Sequence, residues 1–234
     1  METRITSFNV QGFEDWQKRE PCILDYLHHQ QPDIIFFQEV TYIPELSPFT
    51  QTALLNKTLD YPYEHSAITR LQKGQHYETY REGLAVLSKL PIIRCDALTL
   101  KKDPADEHQR IVQFIDVAQT DGSVMKLANI HLSITDFTEE FARAQLKELL
   151  DILDSRGEQR IIGGDFNMND LDIHADLWQN NYTSSSTVPY ISYPGMNKRN
   201  DYFLVPKQYN LRTVQVSPDG ISDHRAVSIV TEGL

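Results

Sequence analysis

Residues 4–40 read RITSFNVQGFEDWQKREPCILDYLHHQQPDIIFFQEV, two apolar segments separated by a segment with helical spacing. The spacing predicts strands over 4–10 and 33–40 and a helix over 18–30, whose apolar residues recur every three or four positions. A strand, a helix and a second strand in succession predict a parallel strand pair joined by a crossover helix. The opening of the chain therefore indicates the α/β class.

The rest of the chain contains many short apolar segments. Strands are predicted over 62–69, 83–87, 92–98, 110–118, 124–132, 160–166, 201–205, 211–216 and 225–230. The first five of these are closely spaced and favour antiparallel hairpins. Helices are predicted within 44–58 and over 138–153, and the polar stretch 182–200 is predicted to be a long loop. Because segment 124–132 is apolar on both faces, we expect two packed β-sheets with helices outside them.

Composition suits one globular domain over residues 1–234. The chain is 40% hydrophobic and 24% charged, and its only cysteines, Cys22 and Cys95, form neither a disulfide framework nor a zinc spacing. No apolar run approaches the ~20 residues needed to cross a bilayer, and the first residues lack the pattern of a secretory signal. We therefore expect a cytoplasmic protein without membrane insertion. No obligate protein partner is readable from the sequence.

The formal net charge of −11 bears on the substrate. Affinity for duplex nucleic acid depends on Lys and Arg side chains that displace phosphate counterions. An acidic chain lacks this general attraction, although a local basic rim would still hold a short end. The charge disfavours a non-specific nuclease and leaves nucleic acid open as a substrate.

Polar residues follow several of the apolar segments. Asn9, Glu39 and His131 each end a predicted strand, and Asp165 and Asn167 end another. Open α/β sheets place their sites at such strand ends. The two-residue period of a strand puts Asn129 on the same face as His131 and, if the backbone stays extended, Asp165 on the same face as Asn167.

Each of these residues alone is better explained as a turn or a solvated strand end. Their order along the chain, continued by Asp201 and the pair Asp223 and His224, matches a family pattern. The matching segments are SFNVQG at 7–12, DIIFFQEV at 33–40, EGLAVLSKLPI at 82–92, NIHLSIT at 129–135, GGDFN at 163–167, RNDYFLV at 199–205 and SDHRAV at 222–227. In these segments the chain resembles the endonuclease/exonuclease/phosphatase superfamily. The resemblance implies the deoxyribonuclease I-like fold, in which two packed mixed β-sheets are flanked by helices in a four-layer sandwich.

The resemblance also implies a Mg²⁺-dependent phosphoesterase, with Mn²⁺ expected to substitute. Glu39 is the first expected metal ligand, supported by Asn9 and Asp223, and oxygen donors of this kind suit Mg²⁺. The implied catalytic residues are Asp165 as the base that activates water, Asn167 as its orienting partner, His224 at the scissile phosphate, Asp201 as the carboxylate bonded to His224, and His131 as a donor to the phosphate or leaving group. Direct attack by water would leave no covalent intermediate.

Two departures narrow the branch of the superfamily. Gln11 and His131 stand where abasic-site endonucleases commonly have Asp and Tyr. The FFQEV and NIHLSIT segments are closer to the branch of tyrosyl-DNA phosphodiesterases, sphingomyelinases and deadenylases. These enzymes differ in substrate more than in catalytic core.

Substrate contacts are predicted from four further residues: Lys198, Arg199, Arg110 and Asn129. The tyrosines of loop 182–193 offer rings that would stack on a base or cover a lipid head group. Asp103, Asp106 and Glu107 are predicted to form a solvated turn. The leading hypothesis is a phosphodiesterase or phosphatase, and the alternatives are a nucleic-acid nuclease or end-processing enzyme, a zinc hydrolase, and a non-catalytic binding protein on the same fold.

Overall fold

The computed structural model describes residues 2–72, 79–102, 106, 108–134 and 139–233, and it contains two six-stranded sheets. The strands of the first sheet are β1 (Glu2–Asn9), β2 (Ile34–Tyr42), β3 (Tyr63–Gln72), β4 (Tyr80–Ser88), β11 (Tyr209–Val216) and β12 (Val227–Gly233). The strands of the second sheet are β5 (Ile92–Thr99), β6 (Ile111–Ala118), β7 (Val124–His131), β8 (Ile161–Asp165), β9 (Tyr182–Ser184) and β10 (Asp201–Pro206). The α-helices are α1 (Trp16–Gln30), α2 (Gln51–Leu59), α3 (Glu140–Ser155) and α4 (Ala175–Trp178).

Strand order explains where polar residues meet. The first sheet has the order β11-β12-β1-β2-β4-β3, and the second has the order β5-β6-β7-β8-β10-β9. β1 pairs in parallel with β2, which confirms the predicted strand-helix-strand opening, and β7 pairs in parallel with β8. Because parallel strands end at the same edge of a sheet, each sheet brings two carboxyl ends together at its centre.

The inner faces of the sheets pack against each other. Ile5, Phe36, Val86, Leu127 and Phe203 belong to this shared core and are completely buried. Helices α1 and α2 cover the outer face of the first sheet, and α3 covers the outer face of the second. The predicted four-layer arrangement, with two mixed sheets between helices, is therefore confirmed.

Two predictions about loops are wrong. Stretch 182–200 is not one long loop, because it contains β9, which pairs with β10, and short 3₁₀ turns at Ser185–Thr187 and Pro194–Met196. Asp106 is not solvated: it is 5% exposed and accepts hydrogen bonds from Ser133 Oγ and the His108 backbone N–H. The other two residues of that acidic turn, at positions 103 and 107, lie outside the described residues. Within the described ranges, no helix is both long and apolar enough to cross a bilayer.

Candidate active site

Asp165 lies where three strands of the second sheet meet. It ends β8, it is 1% exposed, and it directly follows the two glycines of the GGDFN segment. The parallel neighbour β7 places His131 opposite Asp165, and the antiparallel neighbour β10 begins with Asp201 opposite the same residue. Strand register alone therefore delivers three ionisable side chains to one point.

The first sheet supplies the opposite wall of the site. Asn9, at the end of β1, uses its side-chain amide to donate to Asp165 Oδ2 at 3.0 Å and to Glu39 Oε1 at 3.1 Å. The Nε2 atoms of His131 and His224 lie 3.7 Å and 3.8 Å from the same Asp165 oxygen. Three of the residues predicted from the sequence, Asn9, His131 and His224, thus surround one carboxylate oxygen of Asp165 between the sheets.

His224 is held on its edge and on its face. Its Nδ1 lies 2.8 Å from Asp201 Oδ2, a hydrogen bond that fixes the tautomer and directs Nε2 toward Asp165. The ring of Tyr193 lies against the imidazole with centroids 4.7 Å apart and an interplanar angle of 31°. Because Tyr193 is only half-buried, it forms part of the accessible wall beside His224.

Several residues near the site have a left-handed backbone. The φ angles of Gln11, Glu39 and Asn167 are 55°, 57° and 51°. A non-glycine residue held this way stores of order 1–3 kcal/mol of strain, and such residues cluster at functional sites. At Glu39 the strain accompanies a β-bulge, because the pairing of β2 with β4 shifts register between Phe37 and Val40. The bulge lets the Glu39 carboxylate reach Asn9 at the end of the neighbouring strand.

Asn167 reaches Asp165 in another way than predicted. The two residues do not share the face of an extended strand, because β8 ends at Asp165 and the backbone turns at Asn167. Asn167 instead donates its backbone N–H to Asp165 Oδ1 at 2.9 Å, and its side-chain amide donates to the carbonyl of Leu132 at 2.9 Å. The turn therefore fixes the second carboxylate oxygen of Asp165.

The electrostatic setting of the site separates the two histidines. Burial lowers the pKa of His131 well below its usual value, and the positive charges of Arg110 and Arg70 lower it further. Burial alone would lower the pKa of His224 too, but the Asp201 and Asp165 carboxylates raise it to about 10. At neutral pH the site therefore contains one neutral imidazole and one imidazolium.

Asp165 has an unusual pKa for an aspartate. Burial and the neighbouring Asp201 carboxylate raise the pKa of Asp165 to about 7, against the opposing effects of His224, the Asn167 backbone N–H and the Asn9 amide. A carboxylate with a pKa near neutrality is a competent general base at physiological pH.

Two groups of side chains offer places for a cation. Glu39 is half-buried and Asp223 is exposed, and both carry carboxylate oxygens of the kind that Mg²⁺ prefers. Asn9 donates its amide N–H to Glu39, and its amide oxygen accepts the backbone N–H of Gln11. Asp165, Asp201 and His224 form a second group, in which one ligand atom from each lies within 4.8 Å of the others. The bond between His224 and Asp201 already occupies that histidine's Nδ1, so the second group fits a hydrogen-bonded acid and base better than a magnesium site. The donor chemistry therefore fits Mg²⁺ at Glu39.

Two predicted substrate contacts are buried. Asn129 is 0% exposed and joins the two sheets: its amide lies 3.2 Å from the Phe37 carbonyl and 3.1 Å from the Ala85 carbonyl, and its oxygen accepts from Gln38 at 2.8 Å. This placement contradicts the predicted contact of Asn129 with substrate, because a side chain with no exposed surface cannot reach a bound ligand. Asn129 instead holds the two sheets together. Arg110 is 2% exposed, and its charge acts on His131 and Asp165 from behind the site.

The other two predicted contacts lie on the segment before β10. Arg199 donates to the carbonyls of Tyr190 and Ser186 at 3.2 Å and 3.3 Å, and its guanidinium lies over the Tyr190 ring at 4.9 Å. Its Nε and Nη1 donors therefore hold the chain before β10, and because the side chain is half-buried, the predicted phosphate contact of Arg199 stays a prediction. Lys198 is half-buried and pairs its backbone with Tyr193, so its contact with substrate stays a prediction.

Sequence reasoning missed the links that hold the site's loops. Gln11 Oε1 accepts the backbone N–H of Asp223 at 3.1 Å, and Ser222 Oγ donates to the Asn9 carbonyl at 2.8 Å. In the sequence, Gln11 stands out only because it differs from the family pattern of abasic-site endonucleases. Of the two residues that make these links, only Ser222 belongs to a motif, the SDHRAV segment, that could have indicated its role.

A comparison with protein-family models matches residues 6–224 to the Endonuclease/Exonuclease/phosphatase family. The chain belongs to this family. Its members are hydrolases that act on phosphate ester bonds, which confirms both the resemblance and the enzyme class predicted from the sequence. A search of curated proteins finds no significant match.

Solved structures share the fold at low sequence identity. An endonuclease/exonuclease/phosphatase from Beutenbergia cavernae superposes with a TM-score of 0.80 at 18% identity, covering 99% of this chain and 72% of that one. A humanized TDP2 of D. rerio gives 0.73 at 17% identity, covering 99% of each chain. A mannosyl-6-phosphatase of Bacteroides thetaiotaomicron gives 0.72 at 14% identity, covering 98% and 99% of the two chains. Identities this low establish the fold and leave the substrate open.

Proposed function

We propose that this chain hydrolyses a phosphodiester in a Mg²⁺-dependent reaction, by direct in-line attack of a water molecule. The observation that carries the proposal is the setting of Asp165. Its carboxylate is buried, has a pKa near neutrality, and faces both a neutral and a charged imidazole. We also infer that residues 1–234 form a single catalytic domain, which the shared core of the two sheets supports.

Each side chain has a part that its surroundings support. Asp165 removes a proton from the attacking water, with its carboxylate oriented by the Asn9 side chain and the Asn167 backbone. The imidazolium of His224, held by Asp201, donates to the phosphate oxygens on which negative charge accumulates. Neutral His131 donates one hydrogen bond to the phosphate or to the leaving oxygen.

Glu39, Asn9 and Asp223 would hold the cation. A divalent ion there supplies Lewis-acid polarisation of the phosphate and neutralises part of its charge. Glu39 is fixed toward this position by its bulge and by Asn9, and the backbone of Asp223 is tied to Gln11.

The test is hydrolysis of a substrate panel with Mg²⁺, Mn²⁺ or EDTA. The panel contains bis-p-nitrophenyl phosphate, p-nitrophenyl phosphate, single- and double-stranded DNA, RNA and phospholipid head-group esters. We expect metal-dependent turnover of a diester that falls at least ~1,000-fold in Asp165→Asn and is unchanged in Asp96→Asn, a control at an exposed position on β5. Turnover retained in a folded Asp165→Asn protein would refute the proposed role of Asp165 as the base. Turnover of p-nitrophenyl phosphate alone would show that the substrate is a phosphomonoester and not a phosphodiester.

A nucleic-acid phosphodiester is the second candidate, and Tyr193 is the observation that favours it. Its half-buried ring beside His224 is a surface on which a base would stack next to the scissile phosphate. Comparing turnover of the DNA and RNA members of the panel with that of bis-p-nitrophenyl phosphate distinguishes a nucleic-acid substrate from a small phosphodiester. Absence of turnover on every member, from a folded protein that binds metal, would favour a binding role.

A further inference from the structure

Arg19, on α1, is a buried arginine whose hydrogen bonds all go to backbone carbonyls. It is 8% exposed, and its Nε, Nη1 and Nη2 atoms donate five hydrogen bonds at 2.7–3.4 Å. The accepting carbonyls belong to Val10, Gln11, Gly12, Glu14 and Ile221. A guanidinium has five N–H donors, so the whole donor capacity of Arg19 is in use.

The carbonyls that Arg19 binds come from two segments at the edge of the site where Asn9, Glu39 and Asp223 lie, called the metal edge below. Four of them lie in the loop after Asn9, and the fifth lies two residues before Asp223. The loop contains three left-handed residues, Gln11, Gly12 and Asp15, at φ of 55°, 49° and 47°. Such a backbone turns carbonyls away from any sheet ladder, and those that are wholly or partly shielded from solvent need a donor. Arg19 supplies these donors and binds both segments at once.

We propose that Arg19 is a positioning residue that fixes the spacing between Asn9 and Asp223, and through it the cation site that these residues form with Glu39. The inference rests on the proposed function only in assigning a cation to that edge. Two other links, from Ser222 to the Asn9 carbonyl and from the Asp223 backbone to Gln11, join the same segments. Arg19 is the link that is buried and that spans the whole loop.

Lysine cannot replace Arg19 in this arrangement. An ammonium keeps the charge but offers three donors from one point, so it cannot bind all five carbonyls. Only the Gly12 carbonyl has a second donor among the side chains described, Gln51 Nε2 at 2.6 Å. Arg19→Lys therefore removes the five-donor geometry and keeps the positive charge, whereas Arg19→Met removes both the donors and the charge. Loss of the charge alone would draw a cation more strongly to Glu39 and Asp223, because the positive guanidinium lies close enough for both carboxylates to act on its pKa.

Arg160 is a matched control at the opposite end of β8. It is 2% exposed and donates to the carbonyls of Ile115 and Leu127 and to the carboxylates of Asp116 and Glu158. Arg160→Lys should destabilise the fold as Arg19→Lys does, because each leaves buried acceptors unsatisfied. Arg160→Lys should not change the structure of the metal edge, because Arg160 lies at the other end of β8.

The experiment measures two quantities that do not require turnover. Hydrogen exchange of the metal-free protein reports the order of segments 9–14 and 219–224, and calorimetric titration with Mg²⁺ reports affinity. In Arg19→Lys we expect faster exchange in both segments and Mg²⁺ binding weaker by about tenfold or more, the usual effect of removing an outer partner of a metal site. Arg19→Met should change both in the same direction, and Arg160→Lys should change neither.

Other outcomes would overturn the proposal. Unchanged exchange and Mg²⁺ affinity in a folded Arg19→Lys protein would make Arg19 a general stabilising residue, and tighter Mg²⁺ binding by Arg19→Met would make its role one of charge. If neither variant folds, the wild-type Arg19 Nε–H signal in nuclear magnetic resonance serves instead: slow exchange that slows further with Mg²⁺ supports the proposal, and no response to Mg²⁺ contradicts it. A wild type without Mg²⁺ binding or turnover would refute the proposed function, while the metal-free exchange would still test Arg19.

Discussion

The hydrogen bond between Asp201 and His224 gives the site its charged imidazole. Asp201 is 0% exposed, and its Oδ1 has no hydrogen-bond partner among the described residues, so its Oδ2 makes the hydrogen bond to the histidine while its charge also raises the pKa of Asp165. In Asp201→Asn the amide can donate to Nδ1 and impose the wrong tautomer. We expect kcat for the preferred diester to fall about 100- to 10,000-fold. The free energy of unfolding should fall as well, because the buried His224 loses its ion-pair partner. Steady-state kinetics together with a denaturation curve check this, and kcat within threefold of wild type would contradict it.

The lowered pKa of His131 predicts that the protein loses stability in acid. Its folded-state pKa lies well below the usual value of 6.5, so the folded protein binds its proton less readily than the unfolded chain does. The contribution of His131 is therefore present above about pH 6.5 and lost as the pH falls below it, by up to about 1.4 kcal/mol per pH unit. The free energy of unfolding from pH 7.5 to 5 should fall more steeply for wild type than for His131→Gln. Parallel curves for the two proteins would contradict the lowered pKa.

At the residue scale, sequence reasoning found the ionisable residues and misplaced several of their neighbours. Asp165 and His224 stand in motifs that combine a strand end with a charge, and this combination can be read from a sequence. Asn129 and Arg199 also have chemistry suited to substrate, but both donate hydrogen bonds to backbone carbonyls of the fold. A carbonyl leaves no trace in the sequence, so whether an amide or a guanidinium binds the substrate or the fold could not be predicted.

At the element scale, the glycines of β8 bring the strands of the second sheet together. A Cβ at Gly164, which pairs with Ile130 and has φ of +149°, would lie 2.0 Å from the Ile130 carbonyl oxygen. Gly164→Ala must therefore separate β7 from β8 and shift the adjacent Asp165. We expect a loss of at least ~3 kcal/mol in the free energy of unfolding, with reduced activity in any folded fraction.

Gly195 provides the control for that substitution. A Cβ there would meet nothing within 4 Å, so Gly195→Ala should leave both stability and activity unchanged. Chemical denaturation of both variants and wild type is the measurement. A Gly164→Ala protein as stable as Gly195→Ala would mean that β7 and β8 can separate without disturbing the fold.

Predicted elements were reliable where apolar residues recur over a long segment and failed where pairing is short. The strands of the core and helix α3 follow this periodicity. β9 has three residues, and it forms because Thr183 pairs with Val205 of β10. Such pairing depends on a partner about 20 positions away, so a polar stretch such as 182–200 gives no local indication of it.

At the scale of the whole molecule, the site exists only when the two sheets pack. The first sheet and its loops carry Asn9, Glu39 and His224, and the second carries His131 and Asp165. The contacts of Asn9 and His224 with Asp165 cross between the sheets. Any substitution that loosens the packing should therefore reduce activity even when both sheets remain formed.

The net charge of −11 makes a prediction about salt that separates substrate classes. A protein that holds a nucleic-acid backbone with many Lys and Arg contacts releases counterions, so its affinity falls steeply as salt rises. An acidic protein repels a polyanion, and salt screens that repulsion. With Mg²⁺ constant and KCl raised from about 20 to 200 mM, we expect kcat/KM for a DNA oligonucleotide to rise or stay level, as it should for bis-p-nitrophenyl phosphate. A fall of tenfold or more for the oligonucleotide alone would reveal a basic surface that grips the backbone, and it would move the second candidate function ahead of the small ester.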